Sequence, residues 1–190
     1  MNRQWMVVLG VIAALAGGTY ALVRFGPEYT GVEIGRKAPD FRMVDVATGD
    51  SVSLRALAKG EVALINIWAT WCAPCKEEMP AMQRTYVDLA PRGFRILAVS
   101  IDNGDGAEVK QFAQDLGITF DILQDRSGHI QQIYQTTGVP ESFLLDRDGT
   151  IVKRVIGAHD WASGANRKLI ERYLGGVSVS VVPSTPPAPN

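Results

Sequence analysis

The chain contains very little cysteine, with Cys72 and Cys75 as the two examples among 190 residues. A small domain held together by several disulfides needs more cysteines than this, and so does a metal site built from four thiolates. Both classes of protein are therefore excluded. The two thiols are expected to function together as a pair.

An excess of charge of one sign is also missing. The 19 basic and 20 acidic residues give a formal net charge of −1 at pH 7. No overall electric field attracts such a chain to nucleic acid or to an anionic membrane face, so no nucleic-acid partner is expected. The hydrophobic fraction of 46% and the charged fraction of 21% are typical of a packed globular domain and exclude a mostly disordered chain.

Charged side chains are absent from residues 4–23. About 20 residues at roughly 1.5 Å each match a hydrocarbon layer of about 30 Å, so residues 1–24 are predicted to be an uncleaved membrane anchor. The alternative is a cleaved signal peptide, because Arg3 gives a basic start and residues 14–16 have a small-x-small pattern. We expect a single-pass protein of the cell membrane with its folded part on the periplasmic, extracytoplasmic side.

The remainder of the chain divides by composition. Residues 25–33 are predicted to be a linker, and residues 34–175 are predicted to be the folded domain. Residues 176–190 are predicted to be a disordered tail, because they are rich in proline, serine and threonine and have no periodicity that could bury one face.

Strand and helix patterns alternate within the predicted domain. The apolar, β-prone run at residues 62–68 is typical of a central strand covered on both faces. Helical spacing follows Pro74, and residues 94–101 form a second buried strand in this interpretation. Residues 41–54 read as a leading β-hairpin that turns at residues 48–50. The series predicts an α/β domain with an added N-terminal hairpin.

The two cysteines lie where the predicted central strand meets the first long helix. Residues three apart on a helical turn have Cα atoms about 5 Å apart, inside the window of about 4.4–6.8 Å for a disulfide. Pro74 suits the first turn of a helix, which places Cys72 at its N-terminus, where free amides and the helix dipole favour a thiolate. Cys72 is therefore predicted to be the attacking sulfur, and Cys75 is predicted to resolve the mixed disulfide.

A metal site is the alternative use of the pair. His129 and His159 lie at no recognisable ligand spacing, so no metal and no bound cofactor is expected beyond a redox-active disulfide between Cys72 and Cys75. A copper chaperone or other metal-binding protein that uses both cysteines remains the second hypothesis. Peroxide reduction is disfavoured, because Cys72 lies in a CxxC motif and not in a lone peroxidatic arrangement.

The run WCAPCK at residues 71–76, with Pro80 five residues after Cys75, resembles the active-site helix of thioredoxins, and GVP at residues 138–140 resembles their cis-proline loop. Two departures make the chain similar to the membrane-anchored TlpA, ResA and CcmG group of thiol-disulfide oxidoreductases. Asn66 stands where thioredoxins keep a buried aspartate, and Glu78 stands where this group places a carboxylate near the cysteines.

This resemblance implies a thioredoxin-like fold, in which helices flank a central mixed sheet. It also implies a protein-disulfide reductase that acts in cytochrome c maturation or in related thiol reduction. The substrates would be exported proteins, with apocytochrome c as the leading candidate, and a membrane thiol reductase would supply the electrons. The direction of electron transfer does not follow from the residues between the cysteines.

Three further residues are assigned to the site. Glu78, one turn after Cys75, is expected to exchange a proton with that thiol or to raise its pKa, and the alternative is a solvated helix charge. Val139 and Pro140, joined by a cis peptide bond, are expected to hold an extended substrate segment. Trp71 is expected to contact substrate or to cover Cys72.

Four polar residues near the motifs receive ordinary structural interpretations. Glu141 is expected to be an exposed loop charge, and Asn66 is expected to satisfy backbone groups near the end of the sheet. His129 and His159 are both expected to lie at the surface.

Overall fold

The structure is a computed structural model that describes residues 3–25 and 32–176. The chain divides into two units, residues 1–31 and residues 32–190. In the first unit, α1 spans Arg3–Phe25. Among the described residues, no helix has the length and apolar character that crossing a membrane requires. The predicted tail at residues 176–190, apart from Gly176, and the predicted linker from residue 26 to residue 31 lie outside the described residues.

The second unit is built on one sheet of seven strands in the order β2-β1-β5-β4-β3-β6-β7. The strands and helices are β1 (Arg42–Asp45), β2 (Ser51–Ser53), α2 (Leu54–Leu57), β3 (Val62–Trp68), α3 (Ala73–Leu89), β4 (Phe94–Ser100), α4 (Ala107–Asp115), β5 (Asp121–Gln124), α5 (His129–Ile133), β6 (Glu141–Leu145), β7 (Ile151–Ile156) and α6 (Gly164–Leu174). This is a thioredoxin-like α/β fold, as the resemblance implied.

The central strand is β3, in which all seven residues are buried. It pairs parallel with β4 on one side and antiparallel with β6 on the other, so the sheet is mixed. Leu64 and Trp68 belong to the core under α3 and α6, whereas Ile65 and Ile67 belong to the core on the opposite face. The prediction of a strand covered on both faces is confirmed.

The predicted leading hairpin is also confirmed. Strands β1 and β2 pair antiparallel, and β1 then pairs antiparallel with β5, so the hairpin extends the sheet at one edge. Asp45 stabilises the turn by accepting a hydrogen bond from the Ala47 backbone N–H at 2.8 Å.

A short stretch before β1, here called the strap and comprising residues 32–41, runs against β7. The Gly35 N–H donates to Ile151 O and the Ile151 N–H donates to Arg36 O, both at 2.8 Å. Val32 at its start and Phe41 at its end are buried in the core. The packed part of the unit therefore begins before residue 34, because the apolar Val32 finds a place in the core.

Candidate active site

The two cysteines form a disulfide at the N-terminus of α3. The Cα atoms lie 5.3 Å apart, close to the separation that helical geometry predicts. Cys72 is the residue that caps the helix, and its Sγ accepts a hydrogen bond from the Cys75 N–H at 3.2 Å. Cys72 keeps 4% of its surface exposed and Cys75 keeps none. An incoming group therefore meets Cys72 first.

The loop that leads from β3 to Cys72 is anchored from the end of β4. The buried Asp102 carboxylate accepts hydrogen bonds from the Thr70 N–H at 3.0 Å, the Thr70 hydroxyl at 2.7 Å and the Ser100 hydroxyl at 2.6 Å. Sequence reasoning missed this residue. A signal for Asp102 was present in the sequence. The residue directly follows the predicted buried strand at residues 94–101, and the ends of neighbouring parallel strands meet at one edge of a sheet.

Glu78 lies on the buried face of α3, so the interpretation as a solvated helix charge is wrong. Its Oε1 accepts from Asn66 Nδ2 at 2.7 Å, and its Oε2 accepts from the His159 N–H at 2.9 Å. Desolvation by burial raises the pKa of Glu78 to about 7, and the two hydrogen bonds oppose that rise. A carboxyl group with such a pKa exchanges a proton readily near neutral pH.

Asn66 is buried on β3 and connects two elements through its side chain. Its Nδ2 donates to Glu78 on α3 and also to the Ser142 hydroxyl on β6 at 2.9 Å. The expectation that Asn66 serves backbone groups is wrong, because both partners are side chains brought next to it by the fold.

His129 is exposed as predicted, whereas His159 is only partly exposed, since it lies beside Glu78. The ring Nε2 of His159 lies 2.8 Å from Asn166 Nδ2 and 3.2 Å from Lys153 Nζ. These contacts fix the segment whose backbone N–H meets Glu78. An open pocket of about 280 Å³ brings solvent to this point, and its lining comprises Glu77, Glu78, Ala81, Ala158, His159 and Asp160.

The Val139–Pro140 peptide bond is cis, as predicted. The register of β3 and β6 pairs Ile67 with Glu141, which places Pro140 level with Trp68 at the end of β3. The chain continues from Trp68 through three intervening residues to Cys72. The sheet therefore brings the predicted substrate-binding residues Val139 and Pro140 to the same end as the disulfide.

The exposed fractions of Trp71 and Glu141 decide between the roles expected for these two neighbours of the site. Trp71 is 67% exposed, which favours a role in contact with substrate over a role as a cover for Cys72. Glu141 is fully buried, so its assignment as an exposed loop charge is wrong. The physical reason is Arg154 on β7, whose Nε lies 2.6 Å from Glu141 Oε1 and balances the buried charge.

Comparison with known proteins tests these observations. A family model described as AhpC/TSA matches residues 34–154 of the chain. The chain belongs to the AhpC/TSA family. A relative named thiol-disulfide oxidoreductase ResA from Bacillus thuringiensis is 34% identical over 168 residues, which are 88% of this chain and 92% of that protein. A protein of the same name from Bacillus cereus is 31% identical over 169 residues, covering 89% of this chain and 92% of the relative.

A solved structure that is similar to this AhpC/TSA family member also carries the name of a thiol-disulfide exchange protein. The crystal structure of a thiol:disulfide interchange protein of the thioredoxin family from Chlorobium tepidum is 27% identical, with a TM-score of 0.62. The match covers 74% of this chain and 97% of that one. Together with the Cys72–Cys75 disulfide, the comparisons establish that the enzyme is a thiol-disulfide oxidoreductase.

The metal alternative gains no support from the structure. Within residues 3–25 and 32–176, no group of three or more histidine, cysteine, aspartate or glutamate side chains is placed to hold a metal ion. His129 lies at the start of α5, and the ring of His159 contacts Asn166 and Lys153.

Proposed function

We propose that the enzyme is a protein-disulfide reductase that works outside the cytoplasm, in cytochrome c maturation or in a related thiol-reducing reaction. The observation that carries this proposal is the position of the Cys72–Cys75 disulfide at a helix N-terminus beside the Val139–Pro140 edge, with a buried carboxyl group behind it. Thiol-disulfide exchange needs one cysteine that a substrate disulfide can reach and a group that accepts a proton from the second cysteine, and this arrangement offers both.

The reaction begins with the reduced pair. The Cys72 thiolate attacks one sulfur of a substrate disulfide, which breaks the substrate S–S bond, forms a mixed disulfide and releases the first substrate thiolate. Cys75 then loses its proton and attacks Cys72 Sγ, so that the enzyme disulfide forms and the second substrate thiolate leaves. The substrate gains two electrons and the cysteine pair loses two, and both substrate thiolates take protons from water or from Glu78.

Glu78 is assigned the role of proton acceptor for Cys75. It follows Cys75 by one helical turn on the same buried side of α3. Because its pKa is raised to about 7, its basicity approaches that of a thiolate more closely than that of an ordinary carboxylate does. The pocket beside His159 gives the proton a route to solvent.

Exposed apolar side chains support a protein substrate. Trp71 directly precedes Cys72, and Ile156 pairs with Glu141, the residue after Pro140. These two side chains are 67% and 66% exposed, and a surface of this kind binds extended chains that display their own apolar residues. The exposed backbone edge at Val139 and Pro140 would hold the extended substrate backbone.

The proposed location rests on the sequence, and the proposed partners rest on the family resemblance. The uncharged segment at residues 4–23 suits export, either as an anchor or as a cleaved signal. The resemblance to the TlpA, ResA and CcmG group favours apocytochrome c as substrate and a membrane thiol reductase as electron donor. The relatives named thiol-disulfide oxidoreductase ResA support that resemblance.

The test is a trap in living cells. Cys75→Ser removes the resolving thiol, so mixed disulfides on Cys72 should accumulate and should contain exported proteins, including apocytochrome c. The matched control is the double variant Cys72→Ser with Cys75→Ser, which should trap nothing. An empty trap would contradict exchange as the activity, and a set of cytoplasmic partners would contradict the proposed location. Tight Cu(I) binding with little reduction of insulin disulfides would favour the copper chaperone.

A further inference from the structure

The segment between α5 and β6, here called the edge loop and comprising residues 134–140, carries the Val139–Pro140 edge. Its own hydrogen bonds lie at its two ends. At the start, the Tyr134, Gln135 and Thr136 N–H groups donate to Ile130 O, Gln132 O and Gln131 O at 2.8, 3.3 and 2.9 Å, and the Tyr134 hydroxyl donates to Pro39 O at 2.9 Å. At the end, Pro140 O accepts from the Gly157 N–H at 2.8 Å. Gln135 has a φ of 50°, a conformation that a residue with a Cβ adopts at a free-energy cost. Two side chains, from β6 and β7, add further contacts to the loop.

The first such contact comes from Glu141. This side chain is fully buried at the start of β6, yet its carboxylate turns back to the loop, where Oε2 accepts from the Thr137 N–H at 3.4 Å. Its other oxygen, Oε1, is bound to Arg154 at 2.6 Å. Glu141 thus ties the middle of the edge loop to β7.

The second contact comes from Arg154 itself. Its Nη2 donates to Gln135 O at 3.1 Å, at the residue with the positive φ. The guanidinium lies over the Phe143 ring, 5.4 Å from the centroid, and the register pairs Phe143 with Arg154 across β6 and β7. The strand pairing and the ring therefore fix where the guanidinium can lie. One planar group bridges a carboxylate and a backbone carbonyl, which the single ammonium of lysine cannot reproduce.

We propose that Arg154 and Glu141 are positioning residues that clamp the edge loop in the shape that receives a protein substrate, an inference that rests on the proposed function. Neither residue takes part in the exchange of electrons or protons at the cysteines. The clamp sets the affinity for an extended polypeptide at Val139–Pro140, whereas the intrinsic reactivity of Cys72 is set at the N-terminus of α3. The two properties should separate when the clamp is weakened.

The test compares the full-length wild type with Arg154→Lys, which keeps a positive charge beside the buried Glu141 and so protects folding. With dithiothreitol as electron source, KM for insulin reduction should rise roughly tenfold while kcat stays within about twofold. Alkylation of reduced Cys72 by iodoacetamide should keep its wild-type rate. Hydrogen exchange at the Thr137 amide, followed by NMR, should become faster.

The double variant Arg154→Gln with Glu141→Gln removes both charges together and should show the same separation, which excludes an effect of one unpaired buried charge. The matched control is Arg167→Lys, which weakens an ion pair of Arg167 with Asp88 at 2.7 Å on the α3 and α6 side and should leave KM unchanged.

The outcomes distinguish this inference from the proposed function. Wild-type reduction of insulin with no change of KM or of Thr137 exchange in both clamp variants would overturn the inference alone. An equal change in KM and in Cys72 alkylation would overturn it as well, because Arg154 would then act on the cysteines. A wild type that exchanges with oxidised glutathione but reduces no insulin would overturn the proposed function and the inference with it.

Discussion

At the scale of single residues, Glu78 shows how burial changes the titration of a carboxyl group. The fold removes it from water, which raises its pKa from 4.5 to about 7, while Asn66 and the His159 N–H stabilise the charged form and limit the rise. In the folded state Glu78 therefore holds a proton over a pH window in which the unfolded chain has already released it. Stability is therefore linked to the protonation of Glu78, and the proposed proton transfer would depend on the same protonation.

The first prediction concerns Glu78→Gln. Because the folded-state pKa is raised, the cost of burying the charge is absent below about pH 4.5 and complete above about pH 7, so Glu78 lowers the free energy of unfolding by roughly 3 kcal/mol across that window. Glu78→Gln should remove most of this decline in urea unfolding of the oxidised protein. Glu77→Gln, at the exposed neighbour, should keep the wild-type decline, and an unchanged decline in Glu78→Gln would show that another group titrates.

The second prediction concerns Asn66→Ala. The change removes hydrogen bonds to Glu78 and to Ser142 inside the core, and it should lower the free energy of unfolding by about 2 kcal/mol. Because the bond from Asn66 lowers the pKa of Glu78, that pKa should rise further, which NMR titration of the Glu78 carboxyl measures. Asn103→Ala, at an exposed asparagine, serves as the control and should change neither quantity.

At the scale of elements, the β3–α3 junction depends on a side chain from the neighbouring strand. A loop that presents a reactive cysteine must place its backbone within a narrow range, since small displacements alter which groups reach the sulfur. Here the end of β4 supplies that restraint, because Asp102 binds both the backbone and the hydroxyl of Thr70. The parallel pairing of β3 and β4 brings the two segments together at one edge of the sheet.

The third prediction concerns Asp102→Ala. The buried Thr70 N–H and two hydroxyl groups lose their acceptor, so the free energy of unfolding should fall by roughly 3 kcal/mol in urea denaturation. Amide exchange at residues 69–72 should become faster. Asp105→Ala removes one exposed contact in the same loop and should cost less than about 1 kcal/mol. Equal losses in the two variants would argue against the anchor.

At the scale of the whole molecule, residues that precede the first strand cover part of the edge strand β7 in the second unit. The strap buries Val32 and Phe41 and pairs its backbone with Ile151 at the start of β7. This strand is otherwise at the edge of the sheet, and covering its end also shields backbone groups that would remain unpaired. The folding unit is therefore larger than the strands and helices alone.

The fourth prediction concerns fragments of the chain. A fragment beginning at residue 32 should unfold cooperatively and should reduce insulin at the rate of the full chain. A fragment beginning at residue 42 loses the strap with two buried side chains, which should cost several kcal/mol, about 2 kcal/mol for each side chain. Thermal unfolding followed by circular dichroism measures the difference, and equal midpoints would contradict the role of the strap.

Local patterns along the chain determine much of this protein. The apolar run of β3, the leading hairpin and the spacing of Cys72 and Cys75 each depend on neighbours in the chain, so periodicity and helical geometry predict them. The cis peptide bond before Pro140 followed from the resemblance of residues 138–140 to a known loop.

The polar residues around the disulfide were decided by the tertiary structure. Asn66 meets Ser142 across 76 positions and Glu78 meets His159 across 81, and Arg154 reaches Glu141 from a separate strand. Whether a carboxylate is solvated or buried depends on such distant partners, because burial of a charge is tolerated where they supply hydrogen bonds or an opposite charge. Sequence alone therefore located the reactive sulfurs, and the packed fold determined which charges and amides surround them.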